Sequence, residues 1–180
     1  MHDGVNHDRY PLISPWPSYD VATVNVTAWD VVGPGLLLPI NVTVSNQGDF
    51  VEVFNVTVYV DEVLVGVQTV SSARAVMVLT FFWNMSEVRV GTYRMGAEVS
   101  VVHGEVDLFD NCFVGGLIEV IPDLDGDGRV GVQDILLAVM VYGCSEGDHN
   151  WNPYADMAPP YGRIDIFDLV TCAYYYGRTW

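Results

Sequence analysis

In the run Asp123-Leu-Asp-Gly-Asp-Gly-Arg-Val-Gly-Val-Gln-Asp134, carboxylates stand at positions one, three, five and twelve. That is the spacing of a loop that wraps a single hard divalent cation in oxygen. Asp123, Asp125 and Asp127 are expected to converge on the ion from a tight turn. Gly128 takes the bend at position six, Arg129 offers its main-chain carbonyl and Asp134 closes the shell. The competing reading is a solvated acidic turn with Asp134 as the N-cap of the helix that follows. It leaves three carboxylates within five residues repelling one another, and it gives the glycine at position six no task.

The pattern recurs. Asp134–Gly143 (DILLAVMVYG) aligns with Asp168–Gly177 (DLVTCAYYYG) at an offset of thirty-four, and the residues from Val130 to Asp134 align with those from Ile164 to Asp168. Two loop-helix units, each closing on Tyr-Gly, are therefore expected over 122–180. The second loop departs from the first: Asp156 and Asp168 are one residue further apart, and Ala158-Pro-Pro-Tyr161 replaces the middle acids. Asp156, Asp165 and Asp168, with the carbonyl of Arg163, make a second and weaker site. The duplicated loop, with Asp where an EF-hand has a bidentate Glu, resembles a dockerin domain. The resemblance implies calcium as the cofactor, two ions in all, and a cohesin-type receptor as a partner. It also implies partner contact at Ile166 and Phe167 and at their counterparts Val132 and Gln133.

Those loops sit at the end of a chain of 180 residues that is 51% hydrophobic and carries a formal charge of −16. So acidic a chain, whose seven basic residues are all Arg, is repelled by nucleic acid and by anionic lipid and favours divalent cations. No apolar stretch reaches the length of a membrane helix, and Met1-His-Asp-Gly does not open a signal peptide. Residues 1–19, with Pro11, Pro15 and Pro17 around Trp16, read as an extended arm that docks on another copy of the chain. Runs rich in Val, Ile, Thr and Tyr follow at about 21–29, 36–46, 51–61, 63–70, 74–83, 92–102 and 112–121. Seven such runs between turn residues predict a mainly β chain, a seven-stranded immunoglobulin-like β-sandwich over 20–121, followed by the small α-helical unit over 122–180.

Asn41-Val-Thr-Val-Ser-Asn-Gln-Gly-Asp49, Phe54-Asn-Val-Thr-Val-Tyr-Val-Asp61, Phe82-Trp-Asn84, Gly91-Thr-Tyr93 and Gly104-Glu-Val-Asp107 with Asp110-Asn111 resemble the cell-adhesion-related (CARDB) sandwich family. The resemblance implies a surface-exposed module without catalytic residues. Sequons at Asn25, Asn41, Asn55 and Asn84 have valines or methionine between Asn and Thr or Ser, so three of them in strands turn Asn and Thr to the face opposite the core. An exported glycoprotein is the expectation. Of Cys112, Cys144 and Cys172, the pair Cys144 and Cys172 is the best disulfide candidate, because the two helices pack together; three pairings, or three buried thiols, remain open. No phosphate loop, nucleophile elbow or His-Glu-x-x-His helix is present. The expected protein is a non-enzymatic, calcium-binding, extracellular structural or adhesive subunit that assembles into a filament. The alternatives are an accessory module docked to a cohesin-type receptor and, further off, a carbohydrate-binding module using Tyr174, Tyr175, Tyr176 and Trp180.

Overall fold

The computed structural model describes residues 17–180. Trp16 and most of the expected arm lie outside the described residues. The elements are β1 (Val21–Thr27), β2 (Val31–Val32), β3 (Leu37–Asn46), β4 (Glu52–Val60), β5 (Val63–Ser72), β6 (Val76–Asn84), β7 (Gly91–Val99) and β8 (Cys112–Val120), then α1 (Val132–Met140), a short 3-10 turn (Pro153–Ala155) and α2 (Ile166–Tyr174). Each of the seven expected runs holds a strand. Among the described residues the strands number eight where seven were expected, the addition being β2, whose two residues pair parallel to β8. Two residues are too few to show any period, so the pattern passed over it.

The strands form a three-stranded sheet, β1-β3-β6, facing a five-stranded one, β2-β8-β7-β4-β5. Alternation explains why these two layers close on each other. In β3, Leu38, Ile40, Val42 and Val44 point in, and in β4 Phe54, Val56, Val58 and Val60 meet them from the other sheet. Removing each such side chain from water contributes about 1.5–3 kcal/mol. The described end of the arm turns back on its own sandwich: Ser18 N–H donates to Asp49 Oδ2 at 2.9 Å and Tyr19 stacks on Phe50.

The C-terminal unit has near-twofold internal symmetry, and backbone hydrogen bonds state it. Gly177 N–H donates to Val130 O and Gly143 N–H to Ile164 O, both at 2.8 Å, so each loop is tied to the end of the other unit's helix. Both of those glycines have positive φ, which is why each helix stops at Tyr-Gly. Val130, Ala138, Ile164, Met157 and Cys172 make a separate small core, into which Ile121 is fully buried and against which Val31 and Val90 of the sandwich region pack. The expected boundary after residue 121 thus falls at a packed junction. Arg178 pairs with Glu119 of β8 across the same junction.

The expected bond between Cys144 and Cys172 is absent, and all three cysteines are free. Both belong to the small core, where burial pushes the Cys172 thiol up to about 12, with the charge of Asp134 adding to it. It stays a neutral, hydrophobic side chain. Among the described residues no helix is long and apolar enough to cross a membrane.

Candidate metal centre

Asp123 leaves β8 through Ile121 and Pro122, and Asp134 sits inside the first turn of α1, at the third helical position, with Gly131 as the cap. Asp134 is therefore not the N-cap. Both carboxylates are buried, while Asp125 is exposed. Backbone N–H groups hold each in place. Leu124 and Asp125 donate to Asp134 Oδ1 at 2.6 and 3.2 Å, and Gly131 donates to its Oδ2 at 2.6 Å. Gly126 donates to Asp123 Oδ1 and Gly128 to Oδ2, each at 2.9 Å, and both glycines need the positive φ that makes the turn.

One oxygen from each of Asp123, Asp125 and Asp134 lies within 4.8 Å of the others. Oxygens bound to calcium at about 2.3–2.6 Å can be no further apart than about twice that distance, so these three fit one coordination sphere. Asp127 stands outside the cluster: its Oδ1 accepts from Arg129 N–H at 2.9 Å and its N–H donates to Asp125 Oδ1 at 3.1 Å. That second hydrogen bond pulls the Asp125 carboxyl down. Desolvation and the charges of Asp134, Asp127 and Asp123 outweigh it and hold the group above the ordinary carboxylate value. The repulsion is what a cation would relieve. Arg129 itself pairs as an isolated β-bridge with Thr179, as Arg163 does with Ser145.

In the second loop Asp168 repeats Asp134 bond for bond, accepting from Met157, Ala158 and Asp165 N–H groups at 2.7–2.8 Å. Asp165 caps α2, its Oδ1 accepting from Phe167 N–H. Asp156 is buried and engaged by Arg89. Among the described residues the acidic triad of the first loop is the one such cluster, and the second loop does not assemble another.

The other expected residues are placed as follows. Val132, Gln133, Ile166 and Phe167 are all exposed at the starts of the two helices. Asn25, Asn41, Asn55 and Asn84 are exposed too, and each uses Oδ1 as an acceptor, from Val26 N–H, Thr80, Thr69 and Ser86 N–H respectively. Two residues were missed. Trp180 donates its indole N–H to Asp123 Oδ2 and tilts against Trp29, with ring centroids 5.9 Å apart. Arg89 reaches the second loop from the segment between β6 and β7. The repeat offset pointed to Trp180, since it equates that residue with Glu146 beside the other loop; nothing local marked Arg89.

No protein-family model matches the sequence, and no curated protein matches it. Among solved structures the chain is similar to the CARDB domain of a Pyrococcus furiosus protein, crystallised in complex with di-metal ions. The two share 28% identity and a TM-score of 0.51 over 59% of this chain and 97% of that one. The solution structure of the same archaeal domain gives 29% identity and a TM-score of 0.49 over 58% of this chain. A β-glucosidase of Erythrobacter marinus matches over 57% of this chain but 16% of its own, at 17% identity and a TM-score of 0.46. The sandwich is CARDB-like in fold.

Proposed function

We propose that this chain is a non-enzymatic, calcium-binding, N-glycosylated structural or adhesive module that works outside the cell and assembles with copies of itself. The observation that carries the reading is the convergence of Asp123, Asp125 and Asp134 on one point at the exit of the sandwich. Three hard oxygen donors and no nitrogen or sulfur suit calcium, with the Arg129 carbonyl and Asp127 able to complete the shell. Bound there, the ion would fix the start of α1 against the strand that leads out of β8. The partition into a sandwich over 20–121 and a dockerin-like unit over 122–180 follows from the same reading.

Self-assembly draws on the edges. β5 and β6 are edge strands of their sheets, and they expose Val63, Leu64 and Val67, and Val76, Val78 and Phe82. Exposed apolar side chains on edge strands offer a surface on which a partner strand can pair. In this reading the arm ahead of Ser18 and Tyr19, which dock on their own sandwich, supplies an extended segment for a neighbour's edge, a head-to-tail contact that propagates as a filament. Export agrees with four exposed sequons.

Sedimentation velocity tests the assembly. The full chain with calcium is expected to sediment as a series of oligomers, and a chain lacking residues 1–17 as a folded monomer. A full chain that stays monomeric at every concentration would overturn it. A second reading, docking to a cohesin-type receptor, is favoured by the exposed Val132, Gln133, Ile166 and Phe167. Under that reading Ile166→Ala with Phe167→Ala abolishes receptor capture and leaves self-assembly untouched.

A further inference from the structure

Beyond their middle residues, the two loops differ in what meets one equivalent carboxylate. Asp123 Oδ2 and Asp156 Oδ2 each accept from the glycine that bends its loop, Gly128 at 2.9 Å and Gly162 at 3.0 Å. Each also accepts from a second donor, and those donors are unlike. At Asp123 it is the neutral indole of Trp180, at 2.6 Å. At Asp156 it is the guanidinium of Arg89, whose Nη1 lies 2.7 Å from Oδ2 and 2.8 Å from the main-chain carbonyl of the same residue.

Everything around Arg89 fits a cation held there by design of the fold. Tyr93 Oη donates to the Arg89 carbonyl at 2.8 Å and fixes its backbone on the sandwich. Tyr161 stands where the first loop has acids, and its ring centroid lies 3.8 Å from Arg89 Cζ, offering a π face to the guanidinium. Asp156 has a side chain 0% exposed and an Oδ1 without a partner, and a carboxylate so buried is stabilised by a counter-charge. The tethered guanidinium supplies it.

A divalent ion in this loop would have to expel Arg89 and would meet Ala158-Pro-Pro-Tyr161 where the first loop offers its middle acids. Asp168 keeps the hydrogen bonds of Asp134, so the difference between the loops lies at these middle positions and at the partner of Asp156. Asp123, Asp125 and Asp134 bring three oxygens within 4.8 Å of one another in the first loop, and among the described residues the second loop assembles no such set toward the six to eight that calcium gathers. We infer that the second loop is a guanidinium site filled in cis by Arg89 in place of calcium, clamping the C-terminal unit to the sandwich whether or not metal is present. Only the stoichiometry below rests on the calcium reading of the first loop.

The test uses the full chain, with calcium calorimetry and hydrogen exchange on the wild type, Arg89→Met and Arg89→Lys. The wild type is expected to bind one ion, and Asp125→Ala is expected to weaken that binding by a factor of about one hundred or more. At saturating calcium, Arg89→Met is expected to speed exchange across 156–162 by on the order of tenfold while the strands of the sandwich stay protected. Arg89→Lys, which keeps the charge but not the planar fork, falls between. Two ions in the wild type, one of them surviving Asp125→Ala, would overturn the inference, as would unchanged exchange in Arg89→Met. No binding at all would contradict the calcium reading of the first loop, and the exchange result would still decide the clamp.

Discussion

Trp180 donates its indole N–H to Asp123 Oδ2 at 2.6 Å, across 57 residues of chain. The contact closes the first loop from above, because Trp180 N–H also donates to Gly128 O at 3.1 Å and its ring leans on Trp29. A hydrogen bond to a charged acceptor contributes about 1.5–3 kcal/mol, and the partial exposure of Trp180 argues for the lower end. Trp180→Phe keeps an aromatic ring against Trp29 and deletes the donor. Thermal denaturation of the C-terminal unit is expected to report a loss of about 1.5 kcal/mol, with the transition of the sandwich unmoved. An unchanged midpoint for the unit would mean that the indole only covers the loop.

Burial, then the charges of Asp110, Glu105 and Asp107, hold the Asp20 carboxyl above its ordinary value. Its Oδ1 and that of Asp110 are both buried without a partner. The folded chain therefore binds this proton more tightly than the unfolded chain does. The penalty of the charged form is present at neutral pH and is relieved as pH falls through the raised value toward 3.8. In the presence of chelator, Asp20→Asn is expected to raise the melting temperature at neutral pH by a few degrees, about what a change of less than 1 kcal/mol produces, and to lose that advantage in acid. A variant less stable than the wild type at neutral pH would show that the charge is needed, as it would be beside a cation.

Glycans are expected on Asn25, Asn41 and Asn55, and on Asn84. In each sequon the middle residue, Val26, Val42, Val56 or Met85, is buried, which turns the asparagine outward. Mass spectrometry of peptides from native material reads this directly. Four unmodified asparagines would remove the argument for export.

The sandwich was legible because its strands bury one face and wet the other, so Leu38, Ile40, Val42 and Val44 alternate with polar or exposed neighbours and declare both strand and orientation. The helices were legible from the offset of thirty-four, which the hydrogen bonds of Asp134 and Asp168 repeat atom for atom. Arg89 was not legible. It meets Asp156 across 67 residues, from a loop without periodicity, and the sequence alone cannot say which arginine closes on which acid. The same blindness to distance suggested a disulfide for Cys144 and Cys172: shared membership of a core places two thiols in one neighbourhood without directing them at each other.

Calcium calorimetry on the full chain, wild type against Asp125→Ala, tests the central claim most directly. Asp125 is exposed, so its loss removes a ligand and leaves the small core of Val130, Ala138 and Ile164 in place. The account predicts saturable binding to the wild type and affinity weakened by a factor of about one hundred or more in the variant, the scale of losing one charged ligand, roughly 3 kcal/mol. Equal affinity in the two proteins, or no heat of binding in either, would contradict it.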